Sequence, residues 1–255
     1  MKSFLIALSF LTIFPLPRFE FSREGQELSA SASWFPFVGG VIGLFIAASA
    51  YVLSGIFTPG PIVVIAFIIR FFLTRGLHTD GLADAADGLI GTTNRDKAFK
   101  AMDDSAMGVM GGAVLILFYL LCYSLLTSGI TNYLLLILFF MPVSGRWNIV
   151  LAGTWFKPAR NKGLGDLFLS GLKKHHLIKA SILPFVLFAV LFFIKPDVLW
   201  PVALGWLTAA VFSVLFATYA ARRLGGISGD ILGAGNEISE LIFLITFVAT
   251  QTLSG

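Results

Sequence analysis

Seven long apolar runs, each closed by polar or turn-forming residues, set the pattern of this sequence. They cover residues 34–57, 61–77, 108–128, 133–154, 177–194, 198–220 and 238–253. A helix needs about 20 apolar residues to cross the hydrocarbon layer of a bilayer, and each run reaches or approaches that length. Three breaks are short and rich in helix-ending residues: Thr58-Pro59-Gly60-Pro61, Ser128-Gly129-Ile130-Thr131-Asn132 and Lys195-Pro196-Asp197. The others are long and polar, at 78–107, 155–176 and 222–237. The pattern predicts an all-α, polytopic transmembrane bundle of about seven spans, forming one integral membrane domain over 1–255. Its first fourteen residues place Lys2 before a short apolar stretch that ends at Pro15-Leu16-Pro17-Arg18 without a small-x-small cleavage pattern. They read as a retained helix at the membrane interface.

Composition supports the same class. Hydrophobic residues make up 57% of the chain and charged ones 13%, whereas soluble domains average roughly 45–50% and about 25%. Too little polar surface remains to cover a globule in water. The net charge of +4 does not point to nucleic acid, because the basic residues sit in connections between apolar runs. Sorted by side, fifteen of the 18 Lys and Arg fall in one alternating set of connections and their rims. Lys195 alone falls in the other, and Arg70 and Arg146 lie inside runs. This is a positive-inside asymmetry. It predicts a bacterial or archaeal cytoplasmic (inner) membrane protein with its N-terminus and all three long polar connections on the cytoplasmic face. The lone Cys122 allows no intrachain disulfide.

Connections on one side can share one site, and the chemistry in them is acidic. Asp80, Asp84 and Asp87 stand at i, i+4 and i+7 in His78-Thr79-Asp80-Gly81-Leu82-Ala83-Asp84-Ala85-Ala86-Asp87-Gly88, on one face of a helix. Like charges so placed repel, and no Lys or Arg stands between them. A solvated helix face is the bland alternative. Directly after an apolar span, where exposed acids are uncommon, a divalent cation is the better resolution. Mg²⁺ takes oxygen ligands, commonly a few carboxylates plus substrate phosphates. Asp103 and Asp104 follow as a second carboxylate source, for the same ion or for a partner ion that would help clamp a phosphate. Arg146, within the fourth run, either meets a phosphate or snorkels to the interface. Arg160 lies beside Gly163 and Gly165, where backbone amides can approach a phosphate. The glycine-rich segment 222–237 brings Asp230, Asn236 and Glu237, with Glu240 one turn further. It reads as a flexible polar connection that binds ion or phosphate, or else as a linker with a helix cap at Asn236 or Ser239. His78 falls opposite the Asp row and could serve as general base or as a donor to a ligand.

With these residues in view, the chain resembles the cobalamin synthase (adenosylcobinamide-GDP ribazoletransferase) family over almost its whole length. The likeness is carried by Phe10-Leu11-Thr12-Ile13-Phe14-Pro15-Leu16-Pro17, Trp34-Phe35-Pro36 and His78-x-Asp80-Gly81-Leu82-Ala83-Asp84-x-x-Asp87-Gly88. Further blocks are Met102-x-Asp104-Ser105 with Gly108 and Gly111, Arg146 with Arg160-x-x-Gly163-Leu164-Gly165, and Gly225-Gly226-x-Ser228-Gly229-Asp230-x-Leu232-Gly233-Ala234-x-Asn236-Glu237. Ile13 and Ala106 depart from the family pattern where basic residues are common. The resemblance implies a Mg²⁺-dependent membrane phosphotransferase joining adenosylcobinamide-GDP to α-ribazole or its 5′-phosphate. GMP would leave, and adenosylcobalamin or its phosphate would form. Asp80, Asp84, Asp87 and Asp104 are the expected metal ligands. A carboxylate of the Asp row or His78 is the expected base, and Arg146, Arg160, Asp230, Asn236 and Glu237 are expected to meet substrate. Two other classes fit parts of the sequence: a CDP-alcohol phosphotransferase, whose Ala-Arg is replaced here by Ala83-Asp84, and a cation-coupled transporter using Arg146 and Glu240. Self-association is neither required nor excluded by this reading.

Overall fold

The computed structural model describes residues 2–15, 26–160 and 163–254. Arg18, Arg23 and Lys162, counted above among the cytoplasmic basic residues, and Asn161 lie outside the described residues. The described chain is helical. A short α1 (Lys2–Leu11) and α2 (Gln26–Ser31) lead into α3 (Phe35–Leu53) and α4 (Pro59–Thr74). Then come α5 (Leu77–Ile90), α6 (Arg95–Met102), α7 (Val109–Thr127) and α8 (Leu134–Trp155). The chain ends with α9 (Leu164–Ser170), α10 (Lys174–Ala180), α11 (Ile182–Ile194), α12 (Pro196–Leu224) and α13 (Gly229–Ser254).

Among the described residues six helical segments are long and apolar enough to cross a membrane, or seven if the bent pair α4–α5 is counted as one span. At 1.5 Å per residue, the ten residues of α1 reach only about 15 Å, too short to cross. Central and peripheral helices differ in burial. The apolar windows of α8 and α13 are 72% and 67% buried inside the protein, those of α7 and of the α10–α11 segment 22% and 17%. The last two therefore face lipid. Small residues set the closest helix approaches, as in membrane bundles generally. A Cβ on Gly39 or Gly43 of α3 would come within 2.4 Å of the Pro142 carbonyl oxygen or 2.5 Å of that of Phe139, both on α8.

Two expectations need correction. Segment 222–237 is no flexible connection: α12 runs to Leu224 and α13 starts at Gly229, leaving only 225–228 outside helix. Its glycines serve contact, since a Cβ on Gly233 would stand 3.4 Å from the Gly81 Cα, and so α13 seats closely on α5. Asn236 and Ser239 are accordingly interior residues of a helix and not caps. Segment 78–107 is also largely helical, as α5 and α6. Between α4 and α5 the chain turns through 92°, because Arg75 (φ 55°) and Gly76 (φ 64°) both adopt the left-handed conformation, which ends a helix. A helix at right angles to a span lies along the membrane plane, so α5 stands outside the membrane-spanning segments.

Candidate active site

The corner at Arg75–Gly76 lays the Asp row across one face of the bundle. Asp80 is exposed, and Asp84 and Asp87 are half-buried. Asp80 and Asp84 look into a cavity of about 690 Å³ whose other walls include Arg75, Thr79, Asp103, Asp104 and Ser105. Asp230, in the first turn of α13, adjoins this group: a Cβ on Gly81 would stand 3.0 Å from the Asp230 carbonyl oxygen. The Ser228 hydroxyl donates to its carboxylate at 3.2 Å. The long connections meet here as expected from their common side. The Ala159 amide donates to the Ile227 carbonyl at 2.9 Å and the Ile227 amide to that of Lys157 at 3.0 Å. Arg95 ties both segments to α6, donating to Leu224 at 2.7 Å and to Ala159 at 2.9 Å. Arg160, thus placed, holds Asp103 through two hydrogen bonds of 2.8 Å and stacks 4.6 Å above the Phe99 ring.

Negative charge exceeds positive charge in this group. Burial first, then the charges of Asp80, Asp230, Asp87 and Asp103, push the Asp84 carboxyl up to about 7. The guanidinium of Arg75 is directed to the Ser9 and Phe10 carbonyls at the end of α1. Hard oxygen donors, crowded and short of compensating cations, suit a divalent ion. The four expected ligands nevertheless do not form a cage: among the described residues no three His, Cys, Asp or Glu side chains stand close enough to hold a metal between them. Asp87 has another task. Its carboxylate oxygens accept from the Gly108 and Gly111 amides at 2.8 and 2.9 Å, which places an anion at the positive end of α7. Asp104 is exposed and accepts from the Ala106 amide at 3.0 Å. The arrangement fits the common Mg²⁺ mode, in which one or two carboxylates act together with substrate phosphates and water.

Arg146, Asn236 and Glu237 do not reach the cavity. They form a closed network with Arg70 and Glu240 inside the bundle. Arg70 meets Glu237 at 2.5 Å and Glu240 at 3.2 Å, and Arg146 meets Glu240 at 2.5 Å. The Asn236 amide donates to Glu240 at 3.0 Å. Arg146, Asn236, Glu237 and Glu240 are each at most 1% exposed. Arg146 therefore neither snorkels nor faces a phosphate; two guanidinium groups and two carboxylates neutralise one another in lipid-like surroundings. His78 is also buried, with Nδ1 unpartnered. It belongs to the first turn of α5, sits within the field of Arg146 and Arg70 and is absent from the cavity lining.

Comparison with known proteins settles the family. A sequence model of the cobalamin-5-phosphate synthase (CobS) family matches residues 3–248. The chain belongs to the cobalamin-5-phosphate synthase family. Similar curated relatives include the adenosylcobinamide-GDP ribazoletransferases of Desulfitobacterium hafniense (31% identical, 96% of each chain covered) and Geotalea daltonii (33%, 98% of each). That of a Thermoanaerobacter species is 35% identical, again over 98% of each chain. No solved structure matches. The protein is thus a polytopic transferase of cobalamin biosynthesis, and neither the CDP-alcohol phosphotransferase nor the transporter reading finds support among these relatives. Sequence reasoning passed over Arg70 as a network member and Asp103 as the partner of Arg160. Arg70 carried the signal that drew attention to Arg146, a cation inside an apolar run. Asp103 stood next to a residue already singled out.

Proposed function

We propose that this enzyme transfers the corrinoid phosphate of adenosylcobinamide-GDP to α-ribazole or its 5′-phosphate, giving adenosylcobalamin or its phosphate and GMP. The observation that carries the reading is the cavity lined by Asp80, Asp84, Asp103 and Asp104, with Asp230 close enough to act on Asp84, without matching basic charge. A pyrophosphate demands positioning and charge neutralisation more than covalent help. Mg²⁺, held by Asp80, Asp84 and Asp104 together with the substrate diphosphate, would supply that neutralisation. Arg160, which holds the cavity-lining Asp103, orients a phosphate by exchanging Asp103 for it. The acceptor's ribose hydroxyl attacks the corrinoid-side phosphorus, the bond to the GMP oxygen breaks, and a carboxylate of the cavity takes the hydroxyl proton. Asp87 acts indirectly, by fixing α7 against α5. Orientation of the cavity toward the cytoplasm follows from the basic connections around it.

The test is direct. Purified protein with adenosylcobinamide-GDP and α-ribazole should release GMP only when Mg²⁺ is present, and with CDP-diacylglycerol as the donor it should release no CMP. Undiminished GMP release after exhaustive chelation would remove the metal from this account. Running α-ribazole against its 5′-phosphate at equal concentration identifies the preferred acceptor.

A further inference from the structure

A second cavity, of about 680 Å³, opens where α1, α2 and α3 meet α10 and α11. It shares no residue and no helix with the acidic one. Its lining changes chemistry along its length. Trp34, Phe37, Leu183 and Val186 line it from the segments Glu27–Leu53 and Lys174–Ile194, both apolar enough to span a membrane. His175 and Lys179 line it from the polar start of the second segment, Lys179 about 10 Å ahead of Val186 at 1.5 Å per helical residue. The sequence from Lys173 to Lys179 contains three lysines and two histidines and no acid. Among the described residues none of those lysines has an ion-pair partner. Glu27, the carboxylate of nearby α2, is held by Lys2 at 2.5 Å. The wall is fixed in place, since Trp147 donates to Ser181, between α10 and α11, at 2.9 Å.

We propose that this groove is a binding site for one anionic phospholipid, with its phosphate at Lys179 and His175 and an acyl chain along Trp34, Phe37, Leu183 and Val186. A lysine without an acidic partner, beside a histidine that can donate a hydrogen bond, calls for an anion at one end, and the apolar remainder calls for a hydrocarbon tail. Free phosphate would satisfy only the first demand and a zwitterionic lipid only the second. The position agrees, because Trp and Lys at the start of a span mark the headgroup level. Site and catalysis are separate, so failure of either reading leaves the other standing.

Native mass spectrometry of the full chain in detergent tests it, with phosphatidylglycerol, phosphatidylcholine and inorganic phosphate as probes. One phosphatidylglycerol per chain should be retained preferentially. Lys179→Gln, an exposed position, should weaken its retention about fivefold, the effect of one surface lysine on anionic lipid. Leu183→Trp, which fills the apolar end and leaves the charges intact, should weaken it as well. Equal retention by the three proteins, equal retention of phosphatidylcholine, or displacement of the lipid by millimolar inorganic phosphate would each overturn the proposal.

Discussion

Helix α13 enters two groups of charged residues that obey opposite rules. Asp230, in its first turn, lies beside the open acidic cavity lined by Asp80, Asp84 and Asp103 and acts on Asp84 through its charge. Two and three turns deeper, Glu237 and Glu240 enter the sealed network with Arg70 and Arg146. In the sealed group the charges balance and the side chains are buried. In the open group acids outnumber bases, so the fold alone cannot satisfy them. A balanced buried network holds helices in register, because separating any pair would strand a charge in a low dielectric. An unbalanced, accessible one is completed by something from outside.

Breaking the balance should cost most. Arg70→Leu leaves Glu237 without its partner in the bundle interior, and the expected loss is about 3–5 kcal/mol, read as a lower midpoint for thermal unfolding in detergent. Replacing Arg70, Glu237, Arg146 and Glu240 together by apolar residues should recover much of it, since removing both partners of a buried pair leaves no stranded charge. A quadruple variant as unstable as Arg70→Leu would contradict the assignment of this network to charge balance.

The open group should lose activity without losing stability. Asp84→Asn is expected to lower kcat/KM about 10²–10³-fold, in line with loss of one electrostatic contributor to a transition state. Its effect on stability has the opposite sign. The Asp84 carboxyl binds its proton more tightly in the folded protein, at about 7 against 3.8 for the ordinary group. The unfolded chain therefore gives up this proton first, and stability falls as pH rises through that interval. At pH 8 in a chelator, Asp84→Asn should melt a few degrees above the parent; below pH 4 the two should coincide. Equal melting at both pH values would mean that Asp84 is not crowded by its neighbours.

Smaller effects sharpen the boundary between the groups. Asp87→Ala removes the anion at the start of α7 and should cost about 1–2 kcal/mol in thermal unfolding, with a secondary loss of activity. If Asp87 instead held the metal directly, its loss of activity would match that of Asp84→Asn. Arg160→Ala removes a partly exposed pair with Asp103 and should change stability by less than about 1 kcal/mol, while raising KM for the phosphorylated substrates.

Hydropathy made most of this architecture legible, because span length is a local property of the chain. The Asp row was legible for the same reason, its spacing being a statement about one helix. What stayed hidden depended on distant partners. Asp87 looked equivalent to Asp80 and Asp84 until Gly108 and Gly111, 21 and 24 residues onward, claimed its oxygens. Arg70 and Glu237 lie 167 residues apart, and no local pattern joins them. The glycines of 222–237 suggested flexibility, whereas contact with α5 and the preceding connection keeps most of that segment helical.

The corner at Arg75–Gly76 has a consequence for how this protein tolerates change in length. One residue added there would rotate α5 by about 100° on its axis. The aspartates would then be driven toward the protein interior while Leu82 and Leu89 swung out toward water. Insertions and deletions should accordingly accumulate at the far-side turns around 54–58, 128–132 and 195 and spare this junction, where the count of residues matters as much as their identity.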